Sequence, residues 1–228
     1  MNGQGISKNV SRPKLKVCGM REPENIMQVA ALNPDYMGFI FYPASKRFAN
    51  SLNEDILRNL PQTIKKTGVF VNAPFNEIIE KVKKYQLDAV QLHGNEPSEL
   101  CGQIRLEGIE VIKAFGIDES FDYGMLNAYE ETTDYFLFDT KTPAHGGSGK
   151  VFNWDLLKKS QSKKGYFLSG GLGIENIGTL SDFDAANLYA LDLNSRFETE
   201  PGLKDINKLN IIFEHIKKLS AQAEKEKL

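Results

Sequence analysis

Eight short apolar runs, rich in β-branched and aromatic residues, alternate from end to end with longer amphipathic stretches. The runs fall at 15–18, 36–41, 67–71, 89–92, 110–114, 135–139, 165–169 and 188–193. Strict alternation of strand and helical segments calls for a parallel sheet with helical crossovers. An open doubly wound sheet can use a similar order. Eight units with nothing left over for a second domain favour closure into a (β/α)8 barrel, an α/β TIM barrel of eight parallel strands.

Among the intervening segments, 76–85 places Ile78, Ile79 and Val82 on one face, with Glu80, Lys81, Lys83 and Lys84 mostly elsewhere. Segments 98–106 and 154–159 carry the same period more weakly. The last helix, 205–219, has an apolar stripe of Ile206, Leu209, Ile212, Phe213 and Ile216. Residues 1–13 and 220–228 are polar and read as loosely ordered tails. No exact repeat and no Pro/Gly/Ser linker divides 1–228, which reads as a single barrel domain.

The length of 228 residues suits one such barrel. With 41% hydrophobic and 25% charged residues the chain has an ordinary soluble composition. A net charge of -2 gives no global field for nucleic acid or an anionic membrane, so an anionic ligand must be held by local groups. The two cysteines, Cys18 and Cys101, are too few for a disulfide scaffold and fit a reducing cytosol. The stretch MNGQGISKNVSRP lacks the apolar core of a signal peptide, and the longest apolar stretches are too short to span a bilayer. A cytoplasmic protein is expected.

In a barrel of this kind the chemistry sits at the C-terminal ends of the strands and in the loops that follow. The polar residues that break the apolar runs concentrate there: Cys18, Arg47 in PASKRF, Asn72, His93 in QLHG, Asp139 and Asp192. Residues two apart share a strand face, so Lys16 goes with Cys18, Gln91 with His93 and Leu137 with Asp139. If those faces look inward, an ammonium lies one layer beneath the thiol and is expected to favour the thiolate. Cys101, in a helical segment, reads as a small buried hydrophobe.

Two glycine-rich segments point to a phosphate, HGGSGK at 145–150 and SGGLGIENI at 169–177, the second opening a helix. Glycines let backbone N–H groups approach an anion, and a helix N-terminus adds favourable partial charge. Barrel phosphate sites commonly use the loops after strands seven and eight, which puts Gly147, Gly170, Gly171, Asn194 and Ser195 forward as phosphate-binding residues. HGGSGK lacks the spacing and the Ser or Thr of a nucleotide-binding P-loop. The three histidines, His93, His145 and His215, are scattered, and no cluster has metal-ligand spacing, so no metal site is expected.

The motifs KVCGMREPENI, GFIFYPASKRF, GVFVN, LDAVQLHGNE, VIKAF, FLFDTKTPAHGGSGKVFNW, FLSGGLGIENI and LDLNSRFETEPGLKD resemble, in order, those of the phosphoribosylanthranilate isomerases, over roughly residues 15–219. The resemblance implies an Amadori rearrangement in tryptophan biosynthesis, without cofactor or metal. It implies Cys18 as general base, Asp139 as general acid, Arg47 as the carboxylate-binding group, and His93 and Asp192 in supporting substrate-binding roles. The expected ligand is a small molecule, phosphoribosylanthranilate, handled by a monomer or homodimer.

The chain departs from the family where Ser-Ser-Gly commonly follows the strand-eight aspartate; it has Asn194-Ser195-Arg196. Arg196 could contact phosphate or face solvent. Two other classes of function are open at this point. A barrel lysine, Lys16 or Lys113, could form a Schiff base as in an aldolase, or the fold could bind a phosphosugar without turning it over.

Overall fold

Eight parallel strands close on themselves in sequence order: β1 (Lys14–Cys18), β2 (Tyr36–Ile40), β3 (Lys65–Phe70), β4 (Ala89–Leu92), β5 (Glu110–Ile117), β6 (Tyr135–Thr140), β7 (Tyr166–Leu168) and β8 (Leu188–Leu193), with β8 pairing back onto β1. The computed structural model describes residues 12–141, 153–178 and 187–225. Around the barrel lie α1 (Pro23–Ala30), α2 (Glu54–Arg58), α3 (Phe75–Tyr85), α4 (Ser98–Leu106) and α5 (Ile206–Lys225). Local chemistry sets their ends. Pro23 opens α1, Asn53 caps α2 by accepting from the Asp55 N–H, and Gln86 ends α3 in the left-handed region at φ 49°.

Residues two apart on a strand do divide between two environments. Leu15 and Val17, Met37 and Phe39, Val90 and Leu92, Val111 and Phe115, Phe136 and Phe138, and Leu191 and Leu193 belong to the large core between barrel and helices. The alternate residues Tyr36, Ile112, Ala114, Leu137, Phe167 and Ala190 form a separate cluster, the filling of the barrel itself. Its N-terminal end is floored by tyrosines: Tyr36 and Tyr189 hydroxyls lie 3.0 Å apart and the Tyr135 and Tyr189 rings stack at 4.1 Å. Lys65 and Glu110 pair beside them at 2.5 Å. The other end carries the polar residues.

Three segments differ from the sequence expectation. Residues Trp154–Lys159 form a 3-10 turn where a weak helix was expected, as Tyr123–Tyr129 does after β5. Trp154 and Leu157, its buried residues, are three apart, the spacing that eclipses in a 3-10 helix. At the other extreme α5 continues to Lys225 instead of fraying after Leu219. Ala221, Gln222, Ala223, Glu224 and Lys225 are all strong helix formers. Finally, an antiparallel ribbon, β9 (Glu198–Glu200) and β10 (Leu203–Lys204), follows β8. Pro201-Gly202 turns it, with Gly202 at φ +90°.

Lys113 lies on the outward face of β5, not inside the barrel. It is 2% exposed, and its Nζ donates to Glu96 Oε2 at 3.0 Å and to the Gly94 carbonyl at 2.8 Å. Glu96 in turn accepts from the backbone N–H groups of Asn72 and Gly94, while the Asn72 side chain accepts from the Asn95 N–H. One buried ion pair therefore ties together the loops after β3 and β4, and so fixes the stretch that carries His93. Lys113→Met should strand the Glu96 carboxylate and lower stability by about 3–5 kcal/mol. Urea unfolding with an unchanged m-value checks this; a midpoint close to that of the parent protein would show the pair to be dispensable.

Candidate active site

A lysine occupies the barrel interior immediately under the C-terminal mouth. Lys16 is fully buried, and its Nζ donates to Asp192 Oδ1 on β8 at 2.9 Å and to Gln91 Oε1 on β4 at 2.8 Å. Burial works to strip the proton from Lys16, but the facing Asp192 and Cys18 outweigh it and hold the amine above its ordinary value. For Asp192 burial wins over Lys16, and its carboxyl is pushed above the ordinary range.

Cys18 ends β1 with its side chain on the same inward face as Lys16 and 3% of its surface exposed. Burial pushes the thiol up; Lys16 and Lys204 pull it down and Asp192 adds to the rise, with a net value above the ordinary thiol. The expectation that the neighbouring ammonium would leave the thiolate favoured is therefore not met. The charge is where the sequence put it, but desolvation of the thiolate is the larger effect. Gly38, the register partner of Cys18 on β2, makes room for the sulfur: a Cβ there would stand 2.7 Å from Sγ.

Across the mouth, Asp139 near the end of β6 is 6% exposed. Its Oδ1 accepts from the Thr140 N–H at 2.8 Å and its Oδ2 lies 3.5 Å from His93 Nε2. His93 Nδ1 is 2.8 Å from Gln91 Nε2. Cys18, Asp139, His93 and Asp192 thus belong to one constellation, linked through Lys16 and Gln91. Gly170, at φ +82°, packs against it so closely that a Cβ would lie 2.5 Å from Thr140 Oγ1 and 3.1 Å from Asp139 Oδ1.

Arg47 sits at the β1 side of the mouth, where its guanidinium forks onto Glu198 of the ribbon, Nε to Oε1 at 2.9 Å and Nη2 to Oε2 at 2.7 Å. Lys204, also buried, donates to the same carboxylate at 2.6 Å and to Asn194 Oδ1 at 2.9 Å. Burial alone would raise Glu198, but Arg47 and Lys204 outweigh it and hold the carboxyl below its ordinary value. Burial lowers Lys204 despite Glu198. Gly19, at φ +82°, lies between the two groups: a Cβ would meet Arg47 Cδ at 2.7 Å and Asn194 Oδ1 at 2.9 Å. Glu198 and Lys204 were not singled out from the sequence. The Pro201-Gly202 pair, a turn signal between charged residues, was the available clue.

Gly170 and Gly171 both adopt positive φ, at 82° and 70°, and the Asn176 side chain braces their loop by accepting from the Gly173 N–H and donating to the Gly171 carbonyl. Asn194 and Ser195 begin the turn after β8. Arg196 forms an ion pair with Glu175, which joins the loops after β7 and β8. Gly147 lies outside the described residues. Among the described residues no group of three or more His, Cys, Asp and Glu side chains is placed to hold a metal ion, and no helix is long and apolar enough to cross a membrane.

A family model described as N-(5'-phosphoribosyl)anthranilate (PRA) isomerase matches residues 15–215. The chain belongs to the phosphoribosylanthranilate isomerase family. The N-(5'-phosphoribosyl)anthranilate isomerase of Parabacteroides distasonis is 45% identical over 204 residues, covering 89% of this chain and 92% of its own. The crystal structure of phosphoribosyl anthranilate isomerase from Thermotoga maritima superposes with a TM-score of 0.76 at 36% identity, covering 90% of this chain and 98% of that one. A phosphoribosyl anthranilate isomerase in complex with reduced 1-(o-carboxyphenylamino)-1-deoxyribulose 5-phosphate gives 0.73 at 33% identity, with coverage of 90% and 98%.

The sulfur occupies the space that the bare backbone of Gly38 leaves beside it. Gly38→Ala should force Sγ or the β1–β2 pairing to shift and lower stability by about 1–3 kcal/mol, the usual cost of overpacking. Urea unfolding reads this as a lower midpoint; an unchanged midpoint would show that the methyl group is accommodated.

Proposed function

We propose that the barrel mouth catalyses the Amadori rearrangement of N-(5'-phosphoribosyl)anthranilate to 1-(2-carboxyphenylamino)-1-deoxyribulose 5-phosphate, with Cys18 as general base and Asp139 as general acid. The observation that carries this reading is the placement of a thiol on β1 and a carboxyl on β6 at one mouth, joined by Lys16, Gln91 and His93. Family membership makes the chain an isomerase of tryptophan biosynthesis.

The chemistry needs two proton movements. Asp139 gives its proton to the ribose ring oxygen as the C1'–O bond breaks, and the anthranilate nitrogen's lone pair forms the Schiff base. The Cys18 thiolate then takes the C2' proton. The electrons of that C–H bond form the C1'–C2' double bond, and the Schiff-base π pair returns to nitrogen. The enolamine tautomerises to the ketone by losing its enol proton and gaining one at C1'. Cys18 ends protonated and Asp139 ionised, and one proton lost and one gained reset the pair. Rigid strands hold acid and base on opposite sides of the sugar, which removes much of the entropic barrier.

Arg47 is the proposed partner of the anthranilate carboxylate. With Nε and Nη2 turned to Glu198, the edge bearing Nη1 is the one assigned to the substrate. His93 and Asp192 orient and balance charge. The phosphate is assigned to the loops after β6, β7 and β8, through Gly147, Gly170, Gly171, Asn194 and Ser195, with positive φ at Gly170 and Gly171 turning their loop. An aldolase-like lysine is disfavoured, because Lys113 faces away from the barrel interior and Lys16 is committed to Asp192 and Gln91. The free thiols of Cys18 and Cys101 support a cytoplasmic setting.

Cys18→Ala and Asp139→Asn should each lower kcat by about 10²–10⁴ with circular dichroism unchanged. The assay is fluorescence-monitored consumption of freshly made phosphoribosylanthranilate, and near-normal turnover in either variant would discard the assignment. Arg47→Ala should raise KM more than it lowers kcat.

The pH profile follows from the burial of Cys18. The base acts deprotonated and its value is raised, so the thiolate fraction grows as pH rises and is lost as pH falls. The ultraviolet thiolate absorbance that is present in the parent protein and missing from Cys18→Ala should therefore develop only above the ordinary thiol range, beyond about pH 9. Its appearance below about pH 8 would mean that the two lysines overcome burial.

A further inference from the structure

The path between the two proton-handling groups passes through a residue that neither donates nor takes a proton in the reaction, Gln91. It lies on β4, two residues before His93 on the same inward face, and is 1% exposed. Its two amide ends are both engaged, Oε1 with Lys16 Nζ at 2.8 Å and Nε2 with His93 Nδ1 at 2.8 Å.

An ammonium has three hydrogens and no lone pair. Lys16 stays in that form because Asp192 and Cys18 face it. The amide atom turned to Lys16 must therefore be the oxygen, and the other end of Gln91 is the NH2, a donor only. The imidazole nitrogen opposite that NH2 has to accept. In the neutral ring this leaves Nδ1 bare and puts the hydrogen on Nε2, the atom 3.5 Å from Asp139 Oδ2. The other Asp139 oxygen already accepts from the Thr140 N–H.

We propose that Gln91 is a positioning residue of the reaction: keyed by the Lys16 ammonium, it holds His93 as the Nε2–H tautomer, aimed at the carboxylate that Asp139 becomes when it releases its proton. The inference rests on the reading of Asp139 as the acid and deepens it. Because Gln91 is buried, water does not compete for its ends, and the amide has one satisfied orientation. The 3.5 Å gap is wide for a hydrogen bond, and such contacts commonly tighten as charge develops on the acceptor. An amide passes no proton here. What crosses from the base side to the acid side is orientation: the same ammonium faces Cys18 and, through one amide and one imidazole, directs a donor at Asp139.

The test is nitrogen-15 spectroscopy of the histidines in the full chain, with His93→Asn to assign the ring, combined with steady-state kinetics. In the parent protein His93 should show a protonated Nε2 and a bare Nδ1. Gln91→Glu, of the same shape but accepting only, should move the ring hydrogen to Nδ1 and lower kcat by about tenfold to a hundredfold with KM little changed, a part of what a general acid supplies. Gln91→Met, which offers neither donor nor acceptor, should give mixed tautomers and a smaller loss. The proposal is overturned by a hydrogen on Nδ1 of the parent protein. It is equally overturned if Gln91→Glu moves the hydrogen without lowering kcat, or lowers kcat without moving it. Full activity in Asp139→Asn beside an Nε2–H His93 would refute the acid reading, and this role with it, while leaving the tautomer result in place, so the two failures are distinguishable.

Discussion

An ammonium sits where a barrel of this size would ordinarily pack hydrocarbon. Taking Lys16 and Asp192 out of water costs several kcal/mol per ion even after relaxation, and the pair persists because every neighbour answers it. Asp192 neutralises the charge, Gln91 accepts from a second hydrogen, and Cys18 faces the same group. These partners come from β8, β4 and β1, so the charge also specifies the register of strands far apart in sequence. A slip of one residue in β1 would turn Lys16 into the apolar annulus and Val17 inward.

Around the mouth the same device recurs twice, each time centred on a carboxylate. Glu96 gathers Lys113 and two backbone N–H groups and fastens the loops after β3 and β4. Glu198 gathers Arg47, Lys204 and the Gly202 N–H and fastens the ribbon after β8 to the loop after β2. His93 and Arg47, both proposed to meet the ligand, are thereby carried on loops braced by buried carboxylates, which favours holding a site to within a fraction of an ångström.

The strands and the barrel were readable because the apolar period and the terminal polar residues are local signals. So was the pairing of faces that brings Lys16 beneath Cys18 and Gln91 beside His93. What escaped was whatever depends on competing terms or distant partners. The side of β5 that Lys113 takes is legible only once Glu96 is known to wait on that side. Whether the thiol ends above or below its free value is a contest between desolvation and two lysines, one of them, Lys204, 186 residues away along the chain. The 3-10 turn at Trp154 and the extension of α5 are decided by burial spacing and by helix propensity, respectively.

The tyrosine floor has a consequence of its own. Tyr36, Phe167 and their neighbours fill the lower barrel, with Phe167 fully buried and the Tyr36 ring edge-on to it at 5.2 Å. Among the described residues these rings close the axis from below. If the ligand sits at the C-terminal mouth as proposed, arriving aldose and outgoing ketose share a single threshold.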